Sequence, residues 1–224
     1  MFDPSILFFL TELAGVIAAA VSGAMLAMER NLDLFGVIFL GVVTAIGGGV
    51  IRDLLLGQIP PVAFLNYIYL TTAAATALLA FCVGAWKYSR GRPLPAIPFV
   101  NEAALNFFDA AGLGIFSAIG VQNTIRAGFG DNAFFCIFLG LITGIGGGML
   151  RDVLSHATPA VLRKHVYALA SLAGAAVYYL LQSYSSTFAI ALSTLIVVLL
   201  RLLAARYRWK LPRIPFPAKE DPRR

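Results

Sequence analysis

Charge is scarce in this 224-residue chain: Asp, Glu, Lys and Arg together make up 12% of it, against about a quarter in an average soluble domain. With 59% hydrophobic residues and a mean hydropathy of +0.83, it carries more apolar surface than one water-soluble core of this size hides. That excludes a soluble domain and a disordered chain alike. Cysteine and histidine are equally rare. Cys82 and Cys136 sit in apolar runs, and with only two histidines no disulfide framework or metal cluster can be assembled. No nucleophile–base set and no phosphate loop ending in GK[ST] occurs, so nothing calls for a cofactor, a resident metal or a nucleic-acid partner. The ten-residue alternations of an outer-membrane barrel are missing too. The segment Met1-Phe2-Asp3-Pro4 lacks the positive charge of a signal peptide, which makes the first apolar run a retained helix.

What remains is long apolar runs. At about 20 residues per crossing, hydropathy predicts seven spans: Ser5–Met28, Leu34–Gly57, Pro61–Trp86, Val100–Ile125, Asn132–Ser155, Val166–Tyr184 and Thr187–Arg206. The fold class is therefore an all-α polytopic membrane protein. Fourteen Lys and Arg residues fall on one side, among them Arg30, Lys87, Arg163 and a tail counted from Arg201, whereas Arg126 stands alone on the other. The positive-inside rule then places the N-terminus outside and the C-terminus in the cytoplasm. The basic tail, with Tyr207 and Trp209, either anchors the last helix or meets anionic lipid.

The hydrophilic stretch Trp86–Pro98 divides the chain almost in half. At an offset of 99, Ile38–Val62 lies on Ile137–Val161 with fourteen of 25 positions identical, and ELAGVIAAAVSG from Glu12 faces DAAGLGIFSAIG from Asp109. The chain reads as a three-helix unit (1–86), a cytoplasmic linker (87–99), a second three-helix unit (100–185), and a seventh helix with its tail (186–224). Because three is odd, the second unit enters the membrane inverted, as in many transport proteins.

The best-matched stretch holds the residues a membrane helix tolerates least. Gly47-Gly48-Gly49 and Gly146-Gly147-Gly148 lie about 20 Å into their spans, deep in the bilayer. Consecutive glycines weaken a helix, and a kink there frees carbonyls that only protein or a wet cavity can satisfy. The carbonyls of Thr44, Ala45 and Ile46, and of Thr143, Gly144 and Ile145, are then candidate ligands for a passing K⁺, with the Thr44 and Thr143 hydroxyls adding oxygens. Close packing is the alternative, since Gly41, Ala45 and Gly49, like Gly140, Gly144 and Gly148, form small-xxx-small stripes.

Each triplet is followed by an arginine and an aspartate, Arg52-Asp53 and Arg151-Asp152. A charge at a span centre costs about 2.5–3.5 kcal/mol on the insertion scale, and neighbours about 100° apart on a helix are not expected to satisfy each other. Depth suggests Glu12–Arg52 and Asp109–Arg151 as symmetric pairs that line or brace the path. Snorkelling of both arginines to the headgroups is the other reading.

GGGVIRD at Gly47–Asp53 and GGGMLRD at Gly146–Asp152, with the ELAG and DAAGLGIF segments ahead of them, resemble the prokaryotic trimeric intracellular cation (TRIC) channel family, also described as a duplicated glycine-transporter domain. The likeness spans about Glu12 to Tyr179. It implies a homotrimer in the plasma (inner) membrane of a prokaryote. Each protomer would carry a pore for potassium or other monovalent cations between kinked helices 2 and 5. The lysine-containing KEV motif of the animal branch is absent. A secondary transporter of a small solute such as glycine is the alternative function.

Overall fold

A computed structural model describes residues 4–89, 102–163, 166–207 and 209. Most of the linker, Lys164, His165, Arg208 and the tail from residue 210 lie outside the described residues. Among those described, the chain is all helix: α1 (Pro4–Glu29), α2 (Leu34–Leu55), α3 (Val62–Leu65), α4 (Tyr67–Ser89), α5 (Glu102–Thr124), α6 (Ala133–Leu154), α7 (Ala160–Arg163), α8 (Tyr167–Leu181) and α9 (Ser186–Arg206). A π-helical turn, Ile125–Phe129, prolongs α5, with Gly128 at φ +95°. α1, α2, α4, α5 with its π-turn, α6 and α9 are long and apolar enough to cross a bilayer, and α8 is a shorter apolar helix.

The two halves repeat in detail. α2 and α6 each start from an Asx cap, Asp33 accepting from the Gly36 amide at 2.7 Å and Asn132 from the Phe135 amide at 3.0 Å. Both end alike. The Gln58 amide bonds the Asp53 carbonyl and the Ala157 amide that of Asp152, both at 2.8 Å, with left-handed Gly57 (φ +71°) and His156 (φ +54°) at the turn. The third span, expected as a single helix, is split into the four-residue α3 and the long α4, whereas the sixth holds one helix, α8, with the four-residue α7 ahead of its expected start. Extended Asn66 separates α3 from α4, and an aspartate holds the start of each short helix. Asp53 Oδ2 accepts the Val62 amide at 3.0 Å and Asp152 Oδ2 the Ala160 amide at 2.7 Å, holding α3 and α7 against the helices before them. In the first copy the donor sits one aligned position later, because Pro61, the counterpart of Ala160, has no amide hydrogen.

α1, α2, α5 and α6 pack together at the centre, α4 flanks the first pair, and α8 and α9 flank the second. At the contact of α2 with α6, Gly48 meets Thr143 while Gly147 meets Thr44, and Gly47 meets Leu150 while Gly146 meets Ile51. That reciprocal, antiparallel register is a local two-fold axis, the geometry of an inverted repeat.

Candidate functional site

The triplets form the crossing itself. A Cβ on Gly48 would sit inside the Thr143 carbonyl, and one on Gly147 inside the Thr44 carbonyl. Both helices run through their triplets without interruption. No break therefore interrupts either helix at mid-bilayer. The carbonyls of Thr44, Ala45, Ile46, Thr143, Gly144 and Ile145 stay in unbroken helices, where each faces the amide four residues on, and those of Thr44 and Thr143 also face the opposing glycine. The glycines are there for backbone-to-backbone approach. Thr44 and Thr143 each donate to the carbonyl four residues back, Leu40 and Leu139, at 2.6 Å.

On either side of this crossing lies a cavity, and the two are pseudo-symmetric counterparts of unequal size. The first, of about 320 Å³, is walled by Glu12, Arg52, Asp53, Tyr69, Asn123 and Arg126, with Thr143 at its floor. The second, of about 20 Å³, touches Ser22, Asp109, Tyr167, Gly148 and Thr44, and has room for about one water. Phe116 lines both.

The charged residues explain the difference. Arg52 and Arg151 are buried at 6% and 5% exposure, so neither snorkels. Contrary to the expectation for adjacent residues, each arginine curls onto the aspartate that follows it. Arg52 Nε and Nη2 donate to Asp53 Oδ1 at 2.9 and 2.7 Å, and Arg151 Nε donates to Asp152 Oδ1 at 3.0 Å. An arginine is long enough to span the 100° between neighbours. The expected Glu12–Arg52 pair is thereby replaced, and Glu12 instead accepts the Tyr69 hydroxyl. Asp109–Arg151 does form, at 2.9 Å, while the same Nη1 donates to Ser22 at 2.6 Å. Ile119, which aligns with Ser22 in the other half, offers no such acceptor and leaves the large cavity open.

Arg201 on α9, counted from sequence as the start of the cytoplasmic tail, is instead buried at 5% exposure. It donates to Asp109 Oδ2 at 3.1 Å and lies 4.5 Å over the Tyr167 ring. Thirteen basic residues against one still remain for orientation. α9 has no counterpart in the other half, so nothing equivalent closes the large cavity. Arg201, Tyr69, Tyr167, Ser22 and Phe116 were missed in the sequence reading. Tyr69 pairs with Glu12 and Tyr167 with Asp109 at 3.3 Å, yet at the offset of 99 Tyr167 falls opposite Ile68, so the alignment alone does not match the two tyrosines.

The double duty of Asp53 makes a prediction. Asp53→Asn leaves the Arg52 guanidinium buried without its countercharge, and should cost several kcal/mol, about 3–5 by precedent for broken buried pairs. Thermal unfolding of the purified protein checks this, with Asp33→Asn as a surface control expected near wild type.

A membrane protein of two inverted helical units, crossing at glycines between polar cavities, belongs to the architecture of channels and transporters. A family model described as Glycine transporter matches residues 9–85 and again 106–183. The chain is 40% identical over 209 residues to a UPF0126 membrane protein of Deinococcus radiodurans, covering 91% of each. It superposes on a structure solved to explain conductance through TRIC cation channels with a TM-score of 0.78, 34% identity, and 95% and 99% of the two chains covered. For a prokaryotic TRIC channel crystallised in 0.5 M KCl the values are 0.80, 31%, 92% and 100%. This chain belongs to that family and has the TRIC channel fold.

Proposed function

We infer that the protein is a cation channel whose path runs through each protomer: in at the large cavity, past Thr143, Phe116 and Thr44 beside the glycine crossing, and out by the small cavity at Asp109. The observation that carries this is a pair of cavities holding charged side chains, one on each side of the crossing, with Phe116 in the lining of both. Carboxylates at both ends (Glu12 and Asp53, Asp109 and Asp152) suit a cation. Potassium or another monovalent ion fits better than a divalent one, because each carboxylate already has a protein partner and no cluster for a metal exists among the described residues. At the small-cavity end Arg201 donates to Asp109 Oδ2 at 3.1 Å, and in this reading that ion pair holds the end shut, a closed state. Charge bias supports a large cavity on the outer face of a prokaryotic plasma membrane and a cytoplasmic C-terminus. The homotrimer follows the family.

Purified protein in a planar bilayer under a potassium gradient should show unitary currents reversing near the potassium potential. Phe116→Ala should raise them severalfold, since a hydrophobic constriction gates by dewetting. Currents that are absent, or unchanged in Phe116→Ala, sink the proposed path. One observation favours a second reading. The large cavity opposes Arg52 and Arg126 to Glu12 and Asp53, and it opens on one side only, which would suit a zwitterion such as glycine carried by alternating access. Saturable glycine uptake without unitary currents supports that reading instead.

A further inference from the structure

A third cavity, of about 390 Å³, lies between α1, α5 and α9 and shares Phe8 and Arg126 with the large one. Its polarity is graded. At the end where α5 finishes and α9 begins, it is lined by Gln122, Arg126, Ser186 and Thr187. Toward the middle of the bundle, Ile115 and Ile190 line it. Two polar atoms among its walls lack partners. Gln122 is 7% exposed; its amide nitrogen donates to Ser186 Oγ at 2.9 Å, while its Oε1 has no donor. Deeper, Thr194 Oγ1 has no partner either. Arg126 stacks over Phe8 at 4.1 Å and makes no ion pair among the described residues.

We propose that this cavity binds an anionic, hydroxyl-bearing phospholipid such as phosphatidylglycerol, its phosphate on Arg126, a headgroup hydroxyl donating to Gln122 Oε1, and the start of one acyl chain along Ile115 and Ile190. A single cation and an orphaned acceptor at the interfacial end, with the mainly apolar Ile115, Ile190 and Ala191 below, follow the headgroup-to-chain order of a lipid along the bilayer normal. A second copy of the chain would have to bury the guanidinium and the amide oxygen against its own apolar surface. Arg126 and Phe8 also line the large cavity, so the bound phosphate neutralises a guanidinium that the two cavities share and that makes no ion pair among the described residues. The proposal rests on the transmembrane fold alone, not on the channel reading.

The test uses the purified full-length protein in phosphatidylcholine nanodiscs doped with phosphatidylglycerol, with co-purifying lipid read by native mass spectrometry. Wild type should retain phosphatidylglycerol over phosphatidylcholine by about fivefold, the worth of one interfacial arginine on an anionic headgroup. Arg126→Gln should bring the ratio to parity. Ala191→Trp keeps the charge but fills the cavity, and should do the same, whereas Arg206→Gln, an exposed arginine elsewhere, should keep the preference. Wild-type parity overturns the proposal, and so does a preference that survives both Arg126→Gln and Ala191→Trp. Parity in wild type, together with an oligomeric state altered by Ala191→Trp, would assign the cavity to a second copy.

Discussion

Replacing Asp109 by asparagine should destabilise the folded protein more than any other single change of charge in the bundle. Asp109 is the common acceptor of Arg151 at 2.9 Å, Arg201 at 3.1 Å and Tyr167 at 3.3 Å. Asp109→Asn leaves Arg201 buried without its carboxylate and strips Arg151 of one of two. The expected cost is about 3–5 kcal/mol or more, seen as a fall in unfolding temperature of about 10 °C for a chain of this size. Glu12→Gln, at the aligned position in the other half, should cost far less, because Glu12 accepts from Tyr69 in an open cavity and carries no ion pair in the structure. Arg201→Met in the Asp109→Asn background should restore part of the loss, since it removes the orphaned charge. Alone, Arg201→Met should unseal the small cavity and raise open probability in bilayer recordings. Equal destabilisation by Asp109→Asn and Glu12→Gln would contradict the asymmetry on which the closed state depends.

The glycine triplets make the second expectation, which separates packing from bending. Gly48→Ala and Gly147→Ala each drive a methyl group into the carbonyl of a facing backbone that cannot rotate away. The cost should reach or exceed the top of the overpacking range, about 1–3 kcal/mol, with loss of properly assembled protein. Gly49→Ala is the informative control: the nearest atom to its added Cβ is Arg52 Nη2 at 3.8 Å, ordinary contact. If the triplets served to break the helices, all three glycines of each would matter to a similar degree. If they serve the crossing, Gly48 and Gly147 dominate, and Gly49→Ala folds and unfolds almost as wild type. The yield and melting temperature of these variants decide the matter.

Much of this protein was legible without coordinates. Composition required a helical membrane protein, because a chain this apolar has no other way to satisfy its backbone. The doubled GGG-x-x-RD stretches revealed the duplication, and parity of the spans its inversion. The pairing of Asp109 with Arg151 was also foreseeable, since depth along two antiparallel helices is simple arithmetic from residue number. What the sequence could not supply was what glycine and arginine do once neighbours arrive. A glycine triplet has the same pattern whether it breaks a helix or admits a partner, and only the opposing Thr44 and Thr143 carbonyls distinguish the two. Arg201 looked like the first residue of a basic tail because nothing in its own stretch shows that α9 turns it toward an aspartate 92 positions earlier. The same holds for the unequal cavities: two nearly identical halves predict equal ones, and the inequality comes from the unpaired ninth helix and from Ile119 standing where its mate has Ser22. Local sequence determines which segments cross the bilayer and which residues are costly there. Who answers those costs is a matter of long-range contact, and therefore of tertiary structure.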